Sequence, residues 1–203
     1  VSGASVFTFN PTTGAMEKVM TLSLKIDQVI PAGTTITKQI LLDAANGIGP
    51  LASKLYKSAE TFFIQLTIDG EKKDLPSYSI NYDATGKVSG VSLFTIDPTT
   101  GAMTKVESFN LKPDQSVLAS EIPLTKALLV EALALDNPAT TEIDETGSLS
   151  DQMYKASETF FQQVTLDGEK QDQPTYSVNF NVNGSVSGAS VFTFNPTTGA
   201  MEK

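Results

Sequence analysis

Apolar and polar residues alternate with a period of two over much of this chain. From Thr61 to Ile68, the residues Phe62, Ile64, Leu66 and Ile68 alternate with Thr61, Phe63, Gln65 and Thr67; from Ser77 to Tyr82, the residues Tyr78, Ile80 and Tyr82 alternate with Ser77, Ser79 and Asn81. Successive side chains of a strand point to opposite faces, so each stretch predicts a half-buried strand and the two together a hairpin. Between them Asp69-Gly70 opens a turn, DGEKKDLP, in which Gly supplies positive φ and Pro76 is expected to delay strand pairing. Asp167-Gly168 and Pro174 repeat the device. A second hairpin follows: an aromatic strand such as Ser5 to Phe9, then Asn-Pro-Thr-Thr-Gly, then a strand through Met20, Leu22, Leu24 and Ile26. Pro11 suits a type I turn and Gly14 the left-handed position that closes a bulge, and Pro98/Gly101 and Pro196/Gly199 do the same. The short turns Ala84-Thr85-Gly86 and Val182-Asn183-Gly184 join the hairpins, so each unit reads as a four-stranded antiparallel meander at the least.

Two stretches depart from that pattern. Leu124 to Leu135, LTKALLVEALAL, is rich in helix formers and ends at Asp136-Asn137-Pro138, which predicts a short helix; its counterpart from Thr37 to Ala45 stops at Asn46-Gly47. Apolar runs of this length are also compatible with buried strands. The expected fold class is mainly β: tandem antiparallel β-sandwich or barrel-like repeats with one or two short helices.

Self-similarity organises the chain. VSGASVFTFNPTTGAMEK occupies positions 1 to 18 and recurs letter for letter at 186 to 203, with a diverged copy, VSGVSLFTIDPTTGAMTK, at 88 to 105. The preceding block recurs too, from Tyr56 and from Tyr154, so one cycle of two related units spans 185 residues. Such identity between units that differ elsewhere points to a near-identical superrepeat of a longer protein or to one segment placed twice. The expected division is 1–52 as the second half of a unit with a linker, 53–149 as a β unit, and 150–203 as the start of the next.

Composition narrows the chemistry. The 203 residues include no Cys, His or Trp, and all 14 basic residues are Lys, which removes Ser/His/Asp triads, Cys nucleophiles and thiolate or imidazole zinc sites. The net charge of -9 disfavours phosphate backbones and anionic lipid, so nucleic acid is not an expected partner. No window approaches the ~18 apolar residues of a membrane span, so no membrane insertion is expected. The first residues, VSGASVFTFN, lack the basic start and apolar stretch of a signal peptide.

The order strand, DG turn, strand, short turn, aromatic strand, PTTG turn, strand, carried by Val164 to Lys203 and again by Leu66 to Lys105, resembles the β-rich outer domain of bacterial flagellar hook proteins and, more loosely, of flagellins. These stretches cover under half of the chain. The resemblance implies an exposed, non-catalytic building domain of an extracellular filament. The terminal heptad-patterned helices that pack such proteins into a tube have no counterpart here, so the resemblance does not extend to polymerisation into a flagellar tube.

Candidate sites are few. Asp69, Glu71 and Asp74, with Asp167, Glu169 and Asp172 in the other copy, could offer oxygen ligands to calcium, but they do not follow EF-hand spacing and a Lys neighbours each set, so solvated loops are the simpler reading and no cofactor is expected. Asp136, Glu142, Asp144 and Glu145 lie in a loop that carries most of the extra length of one unit, and are candidates for a partner contact. Paired carboxylates for glycoside hydrolysis need a shared cleft that no spacing here indicates, so an enzyme is not expected. Of adjacent Phe pairs, one member should face the core and the other outward. Phe63 and Phe161, with Val6, Phe7, Phe9, Phe192 and Phe194 of the terminal aromatic strands, are the candidate interface residues.

The first 26 residues read as the second hairpin of a unit whose first hairpin is missing from this chain. An unpaired edge is a template for strand addition. The expected function is a non-enzymatic structural repeat of an extracellular filament, sheath or surface appendage. It would assemble head to tail through β-strand pairing with copies of itself or adjacent repeats of a longer chain. A tandem-repeat adhesin module that displays its 136–152 loop to a host or neighbouring-cell ligand is the alternative. Either role places the protein outside the cell or on its surface.

Overall fold

A computed structural model describes residues 3–122, 125–133, 149–166, 168–195 and 198–202. Its centre is one open antiparallel sheet of nine strands in which every strand pairs with its neighbours in sequence. In chain order these are β1 (Gly3–Phe9), β2 (Met16–Leu24), β3 (Leu55–Ile68), β4 (Glu71–Tyr82), β5 (Val88–Ile96), β6 (Met103–Leu111), β7 (Met153–Leu166), β8 (Glu169–Phe180) and β9 (Val186–Val191). A two-residue pair, β10 (Thr193–Phe194) with β11 (Met201–Glu202), follows. Short helices lie in the connections that lead from β2 to β3 and from β6 to β7: α1 (Lys38–Ala45), α2 (Lys126–Leu133) and α3 (Leu149–Gln152).

The mainly β expectation with short helices therefore holds, whereas the sandwich or barrel closure does not form among the described residues. The physical reason lies in what covers the sheet. Helix residues Leu41 and Ala44 of α1, and Leu129 and Leu133 of α2, are buried against one sheet face, where a second sheet would otherwise have to pack. The ladders also run from β2 to β3 and from β6 to β7, so consecutive hairpins fuse into one sheet.

Local chemistry explains most boundaries. Thr37 caps α1, its hydroxyl oxygen accepting from the Ile40 N–H at 3.3 Å, and Asn46 ends it ahead of Gly47 at φ 74°. In the second helical stretch α2 begins at Lys126, and the expected stop at Asp136-Asn137-Pro138 lies outside the described residues. At the Asn-Pro-Thr-Thr-Gly turn the Asn10 side-chain oxygen accepts from the N–H groups of Thr12 and Thr13 at 2.9 and 3.0 Å, and Gly14 sits at φ 72°. Asp97 and Gly101 reproduce this arrangement.

One expectation needs correction. The segment DGEKKDLP is not an eight-residue turn: Asp69 (φ 53°) and Gly70 (φ 81°) alone make a two-residue turn of the primed kind, and pairing resumes at once with Ile68 opposite Glu71. Pro76 does not delay the ladder. It stands opposite Phe63, where the register shifts, a position where a residue without an N–H is tolerated. Pro174 opposite Phe161 is the same device. The long hairpins consequently run beyond their shorter neighbours, with ladders to β2 that stop at Phe62 and ladders to β5 that stop at Tyr78.

Candidate functional site

The aromatic strand occurs three times, as β1, β5 and β9, and the structure gives each copy a different set of neighbours. β5 is paired on both sides, by β4 and by β6. Among the described residues β1 is paired by β2 alone and β9 by β8 alone, so each stands at one edge of the sheet. What β1 lacks, a strand of the β4/β8 type, β9 has. What β9 lacks, a strand of the β2/β6 type, β1 has.

The cores follow the same division. At the centre, Tyr78, Ile80 and Tyr82 of β4 are 4 to 5% exposed and pack with Val91 and Leu93 of β5 and Leu129 of α2. Phe62 stacks on Tyr78 with ring centroids 4.5 Å apart. The N-terminal core gathers Val6, Met20, Leu22, Leu41 and Leu55, with no counterpart of the β4 triplet among the described residues. A cavity of about 290 Å³, lined by Val6, Phe7, Ile36 and Leu41, opens along β1 in that place. At the other edge β8 offers the equivalent triplet less deeply buried: Tyr176, stacked on Phe160 as Tyr78 is on Phe62, is 42% exposed, and Val178 and Phe180 are half-buried. The two edges are halves of the central core.

The turns behave alike. A Cβ on Gly101 would lie 2.3 Å from Ile68 Cδ1, because that turn folds onto the tip of the preceding long hairpin; on Gly199 it would lie 2.2 Å from Leu166 Cδ1. Gly14 meets nothing within 4 Å. On their other side, turns are held by the following hairpin: the Met16 N–H donates to Asp74 Oδ2 at 3.0 Å and the Met103 N–H to Asp172 Oδ2 at 2.9 Å. The turn of the one interior copy is thus clasped by the hairpins before and after it, and each terminal copy by one of them.

Two of the six calcium candidates take part in these bonds, and Asp167 lies outside the described residues. Asp74 and Asp172 sit in strands and are occupied by backbone N–H groups and by Gln65 and Gln163. Among the described residues no three carboxylates gather in a metal-binding group.

A polar cluster lies on the helix-covered face. In the first cluster Glu60 accepts from Lys18 at 2.8 Å, Lys57 at 3.0 Å and the Tyr82 hydroxyl at 2.7 Å. Burial pushes its carboxyl up, but the bonds from Lys18, Tyr82 and Lys57 outweigh burial and hold the pKa down to about 2. Burial and the Glu60 carboxylate together push the Tyr82 hydroxyl well above an ordinary tyrosine. A second cluster sits at the equivalent place one repeat on, where Glu107 stands in the position of Met20 and Phe180 in that of Tyr82. Lys155 there binds Glu158 at 2.6 Å and Glu107 at 2.8 Å, and Lys105 binds Glu107 at 3.0 Å. Against the cost of burial, Lys155 and Lys105 hold the Glu107 carboxyl below its ordinary range. A cavity of about 240 Å³ adjoins the first cluster, lined by Lys18, Lys57 and Glu60 with Met20, Leu42 and Ala45. A carboxylate held ionised by three donors is poorly suited to exchange a proton at neutral pH, so the cluster reads as a cross-strand tie.

The sequence-derived interface residues divide between these regions. Phe7 (48%) and Phe9 (53%) are exposed on β1, whereas Val6 (4%) faces inward and forms a wall of the N-terminal cavity. Phe63 and Phe161 are half-buried at the bulges. Phe192 and Phe194 are half-buried and line a cavity of about 330 Å³ with Gln162, Leu166 and Gln173. Asp136, Glu142, Asp144 and Glu145 lie outside the described residues. Sequence reasoning placed Tyr176, Val178 and Phe180 in a strand without recognising them as contact residues. Their alternation, shared with Tyr78, Ile80 and Tyr82, was the available signal. Among the described residues no helix is long and apolar enough to cross a membrane. No protein-family model, curated protein or solved structure matches the chain.

Proposed function

We propose that this chain is a structural repeat of an extracellular filament, sheath or surface appendage, whose units join head to tail by continuing one antiparallel sheet. The observation that carries the reading is the complementarity of the two edges. β8 presents an exposed Tyr176 beside half-buried Val178 and Phe180, and β1 borders a cavity at the position where β4 inserts the equivalent side chains. Burying such a triplet stabilises by roughly 1.5–3 kcal/mol per large side chain. Neither edge strand carries a charged residue or a proline, the usual means by which sheet edges are kept from pairing. The contact is heterologous, so it propagates unless a rotation closes it into a ring. The turn chemistry that resembles hook-protein outer domains agrees with an exposed building role.

Sedimentation velocity with negative-stain microscopy over a range of concentrations tests this. The expected result is ordered polymers with a regular axial repeat, lost on Ser5→Pro, which removes an N–H from the β1 edge. Separate particles at every concentration would remove the reading, and separate particles that capture a glycan or protein would favour the adhesin alternative.

A further inference from the structure

We infer that the joint between copies is a strand replacement: β1 of an incoming copy takes the place of β9 on β8. The inference rests on the head-to-tail reading and specifies how that joint is built.

Direction is the first argument. All eight ladders of the sheet are antiparallel, so the odd-numbered strands share one direction. An incoming β1 laid beside β9, with helices kept on the same face, would make a parallel pair found nowhere else in the sheet. With β9 removed, β8 and β1 meet antiparallel.

Sequence identity is the second. Residues 186–203 repeat residues 1–18 letter for letter, so β1 meets every requirement that β8 places on β9. The register follows from the existing ladder, with Tyr176, Ser177, Val178 and Asn179 opposite Val6, Ser5, Ala4 and Gly3, as they now stand opposite Val191, Ser190, Ala189 and Gly188.

The third is the unequal hold on the two copies. Val186 and Val191 of β9 are 62% and 80% exposed, where their interior counterparts Val88 and Leu93 are 0% and 4%. β1 is anchored by β2 and α1, with Val6 4% exposed. The exchange gives up one ladder on β8 and makes one, while Tyr176 gains the cover that Tyr78 has. Gly14, which touches nothing now, arrives at the place Gly199 occupies against Leu166, where a Cβ would lie 2.2 Å away.

The chain has no cysteine, so disulfides can be placed cleanly. The double variant Ser177→Cys/Ser190→Cys joins directly opposed residues and locks β9 onto β8 when oxidised. Replacement predicts that the oxidised form needs at least a tenfold higher concentration to assemble and that reductant restores assembly. Assembly that persists undiminished in the oxidised form overturns replacement. Mixing a Ser5→Cys chain with a Ser177→Cys chain is the second arm, and decides the matter if the double variant fails to assemble when reduced. A mixed disulfide is expected; a mixed disulfide only between Ser5→Cys and Ser190→Cys chains indicates edge-on addition, which overturns replacement and leaves head-to-tail assembly standing. Ser79→Cys/Ser92→Cys within one chain, the interior counterpart, calibrates disulfide formation at this register. Polymers without either mixed disulfide overturn replacement, and a chain that stays monomeric overturns both readings. The axial repeat is a third measure: eight strands per copy give about 38 Å and nine strands about 43 Å.

Discussion

Strands β4 and β8 carry the same pattern, Tyr-Ser-Ile-Asn-Tyr in one and Tyr-Ser-Val-Asn-Phe in the other, each paired with a long hairpin partner and an aromatic strand. In β4 the first tyrosine is 4% exposed, in β8 it is 42% exposed. The difference comes from what lies beyond. β5 continues into β6 and α2, which close over Tyr78, whereas β9 has no further strand beside it in the sheet. Burial in this architecture is therefore a property of position in the array: the same local sequence makes a core in the middle and an adhesive surface at the edge.

The largest test of that contrast is truncation of the two tyrosines. Tyr78→Ala is expected to cost about 4 kcal/mol in urea unfolding and Tyr176→Ala about 1 kcal/mol; equal costs would mean that the edge is covered by something else. Next come the turn glycines. Gly101 and Gly14 share φ 72°, but only Gly101 faces Ile68. Substitution by Ala should cost about 3 kcal/mol at Gly101, where strain and overpacking combine, and about 1 kcal/mol at Gly14. If assembly occurs as proposed, the Gly14→Ala cost should appear in the polymer as well.

The polar clusters sharpen the comparison further. Glu60 has a folded-state pKa of about 2, below the 4.5 of an ordinary glutamate, so its contribution is present above pH 4.5 and is lost as pH falls from 4.5 toward 2. Tyr82→Phe, which copies the natural Phe180, should cost about 1.5 kcal/mol at neutral pH and bring the acid unfolding midpoint upward, measured by circular dichroism against pH. A variant with an unchanged acid midpoint would show that the two lysines alone hold the carboxylate. The smallest effect is expected at Val191, 80% exposed, where substitution by Ala should stay within about 0.5 kcal/mol for the isolated chain.

Legibility from sequence tracked the range of the interaction. The turn position at Asp69-Gly70 and the Asn10 to Gly14 turn are set by neighbours a few residues apart and were read from the sequence; the Thr37 cap and the two-residue length of the Asp69-Gly70 turn were not. Nor was the length of β3 and β4, because Glu71, Lys72 and Lys73 are all exposed at the hairpin tip, where no buried face imposes an alternation. Fusion of the units into one sheet was hidden for a related reason. Lys18, Glu60, Lys105, Glu107 and Glu158 lie on the covered face and break its apolar pattern; beside the local pairs Lys105–Glu107 and Lys155–Glu158, their compensation includes the pairs Lys18–Glu60, Lys155–Glu107 and Lys105–Glu158, which join strands tens of residues apart in sequence. For the candidate interface, the phenylalanines drew notice by their hydrophobicity, while the complementary piece, Tyr176 with Val178 and Phe180, becomes visible only when its covered twin in β4 is placed beside it.

The shared direction of the odd-numbered strands has a kinetic corollary. Every copy added by continuing this sheet points the same way, so a fibre built from it is a vector: one tip always presents β1 and the opposite tip always presents β8. Until an incoming copy replaces it, β9 stays on β8 at that second tip, so monomers would meet chemically distinct surfaces at the two tips, and growth at one could be capped without touching the other.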